Sequence, residues 1–132
     1  MSCIFCKIIA GYLPAYKVYE DEKFLAFLDI RPLTKGNSLV ITKEHYRWVY
    51  DVPEFGDYFE VAKKIALAAR KGLGAEWISF LTLGLEIPHA HIRVMPRYSN
   101  DLHKEFIDES ISEDFSDEEM KEIADIIAKN IA

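Results

Sequence analysis

The chain has 132 residues, 50% of them hydrophobic and 29% charged, with a formal net charge of −6. That length and balance suit one globular domain, residues 1–132, with its own hydrophobic core. The acidic charge argues against a nucleic-acid coat, which rests on many Lys and Arg contacts to phosphates, and no apolar stretch approaches the roughly 20 residues that span a bilayer, so neither nucleic acid nor membrane is an expected partner.

The N-terminal stretch Met1 to Lys7 lacks a basic region followed by a long apolar run, so a cytoplasmic location is expected. Cys3 to Ala10 reads as a short helix closed by Gly11 and Pro14. Lys17 to Glu20 reads as a strand. Phe24 to Ile30 is an apolar run of strand length, broken by Pro32 and Gly36-Asn37. Ser38 to Thr42 is another, expected to pair with it in antiparallel fashion. Pro53 to Leu73 reads as the main helix, with Phe55, Phe59, Ala62, Ala66 and Leu73 at helical spacing and Gly72 and Gly74 at its end. Trp77 to Leu83 and Pro88 to Met95 are predicted strands. Ser116-Asp117-Glu118-Glu119 is a capping box that opens a C-terminal helix with Met120, Ile123, Ile127 and Ile131 on one face. The order α-β-β-β-α-β-β-α predicts an α+β fold with a mostly antiparallel sheet.

Two features carry chemistry. Cys3 and Cys6 are the only cysteines and are spaced C-x-x-C, which in a reducing compartment points to a metal site or a redox pair rather than a structural disulfide. The second is Pro88-His89-Ala90-His91-Ile92-Arg93. On a strand, alternate side chains share a face, so His89, His91, Arg93 and Met95 point one way and Ala90, Ile92 and Val94 point into the core. Two imidazoles and a guanidinium in a row suit a phosphate or a metal.

The segment His89-Ala90-His91-Ile92-Arg93-Val94-Met95-Pro96-Arg97 resembles the motif of the histidine triad (HIT) family of nucleotide hydrolases and transferases, in which histidines alternate with apolar residues and Pro-Arg often follows. Phe5-Cys6-Lys7-Ile8-Ile9, Leu13-Pro14-Ala15 and Val18-Tyr19-Glu20-Asp21 resemble the family's N-terminal segment. Phe24 to Pro32 resembles its nucleoside-binding strand, and Gly36 to His45 the strand that follows. The likeness covers about residues 3–98 and leaves 99–132 as a C-terminal extension with a helix. It implies a HIT-like fold with a central long helix, a short N-terminal helix and a C-terminal helix.

The resemblance also implies roles. His91 matches the histidine that attacks the α-phosphate of a purine nucleotide or its conjugate and forms a transient nucleotidyl-histidine, which water or another acceptor resolves. Its second ring nitrogen is expected on a backbone carbonyl of the same strand. Asp29 matches the acid that holds the ribose hydroxyls, and Ile8, Phe27, Leu28 and Ile30 match the apolar walls around the base. Some family members bind a structural zinc through residues matching Cys3, Cys6, His45 and His89, a Cys₂His₂ set. Members usually form homodimers through the central helix and a strand.

The chain departs from the family pattern at two places. Arg93 stands where the third histidine usually does, and is expected to bind phosphate as a fixed cation. The loop Leu81-Thr82-Leu83-Gly84-Leu85-Glu86-Ile87 lacks the family's usual polar groups, so Gly84 and Glu86 are what it leaves to meet the nucleotide. Three readings follow in order: a hydrolase or nucleotidyl transferase acting through His91, a nucleotide-binding module with little turnover, and a zinc-stabilised scaffold.

Overall fold

In the computed structural model, which describes residues 3–132, the chain runs α1 (Ile4–Ile9), β1 (Lys17–Glu20), β2 (Phe24–Leu28), β3 (Ser38–Thr42), one 3₁₀ turn (Val49–Asp51), α2 (Phe55–Leu73), β4 (Trp77–Leu81), β5 (His91–Arg97) and α3 (Asp117–Lys129). The strands form one five-stranded antiparallel sheet in the order β1-β2-β3-β5-β4. This is the expected α+β architecture, with a long central helix and a short helix near the N-terminus.

Register decides which side chains share a face. Leu25 pairs with Ile41 and Phe27 with Leu39; Ile41 in turn pairs with His91, and Leu39 with Arg93. Those residues point to one face, where Phe5 and Ile8 of α1 cover the apolar ones. Phe24, Ala26, Leu28, Val40, Ile92 and Val94 point to the other, into the core they share with α2 and α3. All of β2 and β3 is buried. Strands covered on both faces read as continuous apolar runs, which is how these two read in the sequence. Burial of each large apolar side chain stabilises the sheet by about 1.5–3 kcal/mol.

The predicted elements exist, with shifted ends. β2 stops at Leu28 rather than Ile30 because the Asp29 carboxylate accepts the Arg31 N–H at 2.9 Å and turns the chain. β4 stops at Leu81 rather than Leu83. β5 begins at His91 rather than Pro88, since residues 87–90 form a turn in which the His89 N–H donates to the Ile87 carbonyl at 2.8 Å. α2 starts at Phe55 rather than Pro53 and ends at Gly74, whose φ of +75° suits only a residue without a Cβ. Its buried face is Tyr58, Val61, Ala62, Ile65, Ala66, Ala68 and Ala69, rotated from the predicted stripe. Four alanines let the helix sit close to the sheet, while Phe55 and Phe59 pack on each other at its flank, 4.8 Å between ring centroids.

The acidic stretch 101–114 reads in the sequence as solvated surface, with His103 an ordinary part of it. In the fold most of the stretch is indeed exposed, but Asp101, His103 and Lys104 tether it to the rest of the domain. Arg97 is buried and donates to Asp101 at 2.9 Å and to the Lys104 carbonyl at 2.5 Å. His103 Nε2 donates to the Leu33 carbonyl at 2.8 Å, and its Nδ1 accepts the Asp108 N–H at 3.0 Å. No described helix is long and apolar enough to cross a membrane.

Candidate active site and metal centre

His91 opens β5 on the α1 side of the sheet, beside Ile41. Its Nδ1 lies 2.8 Å from the His89 carbonyl oxygen. A carbonyl only accepts, so Nδ1 carries the proton and Nε2 keeps its lone pair. Phe5 meets the ring edge-on, 5.3 Å between centroids, and fixes its plane. Burial pushes the His91 pKa below the usual imidazole value; the nearby Arg93 and Arg47 add to that, against the opposing pull of the His89 carbonyl and Asp29. The imidazole is thus neutral at physiological pH, the form a nucleophile needs.

Arg93 follows two residues on, next to Leu39. It does not stand free. It pairs with Glu109 of the C-terminal extension and lies 3.9 Å from the Asp29 carboxylate. Asp29 is well shielded, and burial raises its pKa against the opposing effects of the Arg31 N–H, Arg93 and His91. The partner that a carboxylate in Phe-Leu-Asp-Ile demands is therefore a backbone N–H first and an arginine second.

The predicted apolar wall divides by strand parity. Ile8 and Phe27 lie together on the His91 side of the sheet. Leu28 points the other way into the core under α2. Ile30 is 72% exposed and borders a cavity of about 660 Å³ whose lining includes Pro14, Tyr16 and Lys121. Gly84 has φ +70°, and its carbonyl accepts from Arg47 Nη1 at 2.6 Å. Glu86 is exposed and turned to solvent. Phe5, Arg47 and Glu109 complete the neighbourhood. Phe5 lies within the C-x-x-C segment, whereas no motif marks Arg47 or Glu109, and Glu109 arrives from 16 residues beyond Arg93.

Cys3, Cys6, His45 and His89 form a second cluster, with one ligand atom from each and all four within 4.8 Å of one another. Cys3 and Cys6 share the first turn of α1, where the Cys3 sulfur caps the helix by accepting the Cys6 N–H. His89 Nε2 is 2.7 Å from the Thr42 carbonyl, so it carries the proton and leaves Nδ1 as the ligand atom. That Nδ1 is 3.4 Å from Cys3 Sγ and 3.5 Å from Cys6 Sγ, and His45 Nδ1 is 3.2 Å from Cys6 Sγ. A tetrahedral zinc with bonds of about 2.0–2.3 Å needs ligand atoms about 3.3–3.8 Å apart, so the residues fit that ion. Burial, then the neighbouring Cys3 thiol, pushes the Cys6 pKa up to about 11, so without a cation its sulfur stays protonated.

An antiparallel sheet with His91 at the head of one strand and His89 in the turn before it, beside a Cys₂His₂ cluster, marks a histidine-triad type of protein. The chain belongs to the HIT domain family, whose model matches residues 10–100. It is 41% identical over 143 aligned positions to Protein hit of Bacillus subtilis (strain 168), covering 99% of this chain and 95% of that one. It is 36% identical over 104 positions to the adenosine 5′-monophosphoramidase hnt1 of Schizosaccharomyces pombe, covering 74% and 75%. Among solved structures, a zinc-bound histidine triad family protein from Mycobacterium smegmatis matches with a TM-score of 0.82 at 34% identity, covering 99% of this chain and 94% of that one.

Proposed function

We propose that this protein is a nucleotide-binding hydrolase or nucleotidyl transferase of the histidine triad type, cleaving at the α-phosphate of a purine nucleotide conjugate. The observation that carries this reading is the His91 ring. Its Nδ1–H is anchored on the His89 carbonyl, which leaves a neutral Nε2 with a lone pair in a fixed direction. That nitrogen forms a bond to the α-phosphorus as the bond to the leaving group breaks, and the leaving group departs with the electron pair. Water or another acceptor then attacks the phosphorus and returns the pair to Nε2, and the proton it gives up to solvent balances the one that an amine leaving group takes from solvent. Asp29 takes the ribose hydroxyls, Ile8 and Phe27 flank the base, and Arg93 meets the phosphate once Glu109 releases it. The monophosphoramidase activity named for the fission yeast relative supports the reaction type. His91→Ala is expected to lower turnover of adenosine phosphoramidate and dinucleoside polyphosphates by roughly 10³-fold or more. Equal rates for variant and wild type would sink the reading.

Cys3, Cys6, His45 and His89 would hold a structural zinc. Bound there, zinc would supply no reacting group; these four residues would tie α1 to the turn that precedes His91, so that Phe5 and the His91 ring keep their mutual geometry. We also read the protein as a homodimer. β4 is the sheet's edge strand, with Trp77 44% and Phe80 47% exposed, and Leu67 of α2 is exposed as well.

One observation favours a second reading, a nucleotide-binding module with little turnover. Glu109 and Asp29 occupy the guanidinium in the third triad position. Under that reading Glu109→Gln raises turnover by freeing Arg93, whereas His91→Ala leaves nucleotide affinity intact and Asp29→Ala removes it.

A further inference from the structure

Arg47 belongs to no motif, yet it is a half-buried cation near the site with no acidic partner among the described residues. Its Nη1 donates to the Gly84 carbonyl at 2.6 Å, and the guanidinium lies 3.8 Å from the Trp48 ring centroid. Trp48 in turn stacks on Tyr50, 5.9 Å between centroids and 6° from parallel. Gly84 lies against the same ring, where its φ of +70° favours glycine, and a Cβ there would make only an ordinary contact with Trp48 at 3.5 Å. Among the described residues no carboxylate pairs with Arg47. A guanidinium has five donors, and this half-buried one uses a single one in a chain with 22 acidic residues. Arg93, by contrast, already has two acids.

Position supplies the second argument. Asp29 follows Leu28, which pairs with Ser38, and Ser38 pairs with Val94, so Asp29 lies where β2 ends and β3 begins, level with Arg93 within β5. His91 pairs with Ile41 near the other end, where the chain turns through Thr42 toward Arg47. There the Ala90 N–H donates to the Tyr46 carbonyl at 2.7 Å, which fixes the Arg47 segment against the histidine turn. A nucleotide with its ribose at Asp29 and its α-phosphate at His91 therefore sends the group beyond that phosphate toward Arg47.

We propose that Arg47 is the anion-binding residue for the leaving side of the substrate, so that the preferred substrates are nucleotide conjugates joined through a further phosphate rather than to a neutral amine. The inference rests on the reading of His91 given above. When the Nε2–P bond forms and the P–O bond to the next phosphate breaks, the departing phosphate oxygen keeps the electron pair, and Arg47 stabilises that charge. The attacking water then loses its proton to the departed phosphate or to solvent.

The test compares wild type, Arg47→Ala and Arg47→Lys of the full chain. The ratio of kcat/KM for diadenosine tetraphosphate to that for adenosine phosphoramidate is measured, with calorimetric affinities for ATP and AMP. Arg47→Ala is expected to lower the ratio by roughly 10- to 100-fold and to erase the margin of ATP over AMP, with Lys intermediate. An unchanged ratio together with an unchanged ATP margin overturns the inference while leaving His91 as the nucleophile. If wild type turns over neither substrate but the ATP margin still depends on Arg47, the anion site stands and the reading of His91 fails.

Discussion

Asp101 and Arg97 form an ion pair with side chains only 2% and 1% exposed, and it holds the extension against the sheet. Burial alone would raise the Asp101 pKa, but the Arg97 guanidinium and the Tyr98 and His103 N–H groups outweigh it and hold the carboxyl below its usual range. A carboxylate lowered in the folded state adds stability above its unfolded value of about 3.9, and that stability is lost as pH falls through the lower folded value. Asp101→Asn should therefore remove part of the acid-unfolding slope and cost about 3–5 kcal/mol at neutral pH, because Arg97 is left buried without its counter-charge. Chemical denaturation across pH reads both effects, and an unaltered slope would contradict the assignment. At this scale the sequence was half legible. His91, Asp29 and the four metal-type ligands stand in short motifs or beside them. Phe5 stands inside the C-x-x-C segment, but its edge-on contact with His91 is tertiary, and Arg47 and Glu109 stand in no motif, because a bond to a loop carbonyl and an ion pair reaching back from the extension bring them to the site.

Among the elements, α3 is written most plainly in the chain. Both halves of its capping box form, with the Ser116 N–H donating to Glu119 at 2.8 Å and the Glu119 N–H to the Ser116 hydroxyl at 3.1 Å. Ser116→Ala should cost about 1 kcal/mol, and Ile127→Ala, which empties a wholly buried site beneath the helix, about 2–5 kcal/mol. Thermal melts separate the two, and equal small losses would mean that α3 does not pack as described. The strands were legible as runs but not at their ends. Period-2 alternation and β-branched content identify a strand, whereas the Asp29 turn and the turn at residues 87–90 depend on backbone partners that only the fold supplies. The same alternation separates Leu28 from Phe27, and Ile30 lies beyond the end of the strand. Neighbours in sequence cannot all line one pocket when a strand sends them to opposite faces.

For the whole molecule, three distant pieces meet at the Cys₂His₂ cluster: the start of α1, the segment after β3, and the turn before β5. Wild type should purify with close to one zinc per chain by elemental analysis, and Cys6→Ser should lose it together with several degrees of thermal stability. A metal-free wild type with the same melting temperature would contradict the structural role. The exposed β4 edge predicts a dimer in light scattering that a charge in place of Phe80 converts to monomer; a wild-type monomer would refute that interface. The central claim concerns one bond, between His91 Nε2 and an α-phosphorus. The most direct measurement is intact mass after rapid quenching of the protein with adenosine phosphoramidate or diadenosine tetraphosphate. The account predicts an adenylyl adduct on wild type that is absent from His91→Ala. An adduct that persists in His91→Ala, or turnover with no adduct at any quench time, would contradict it.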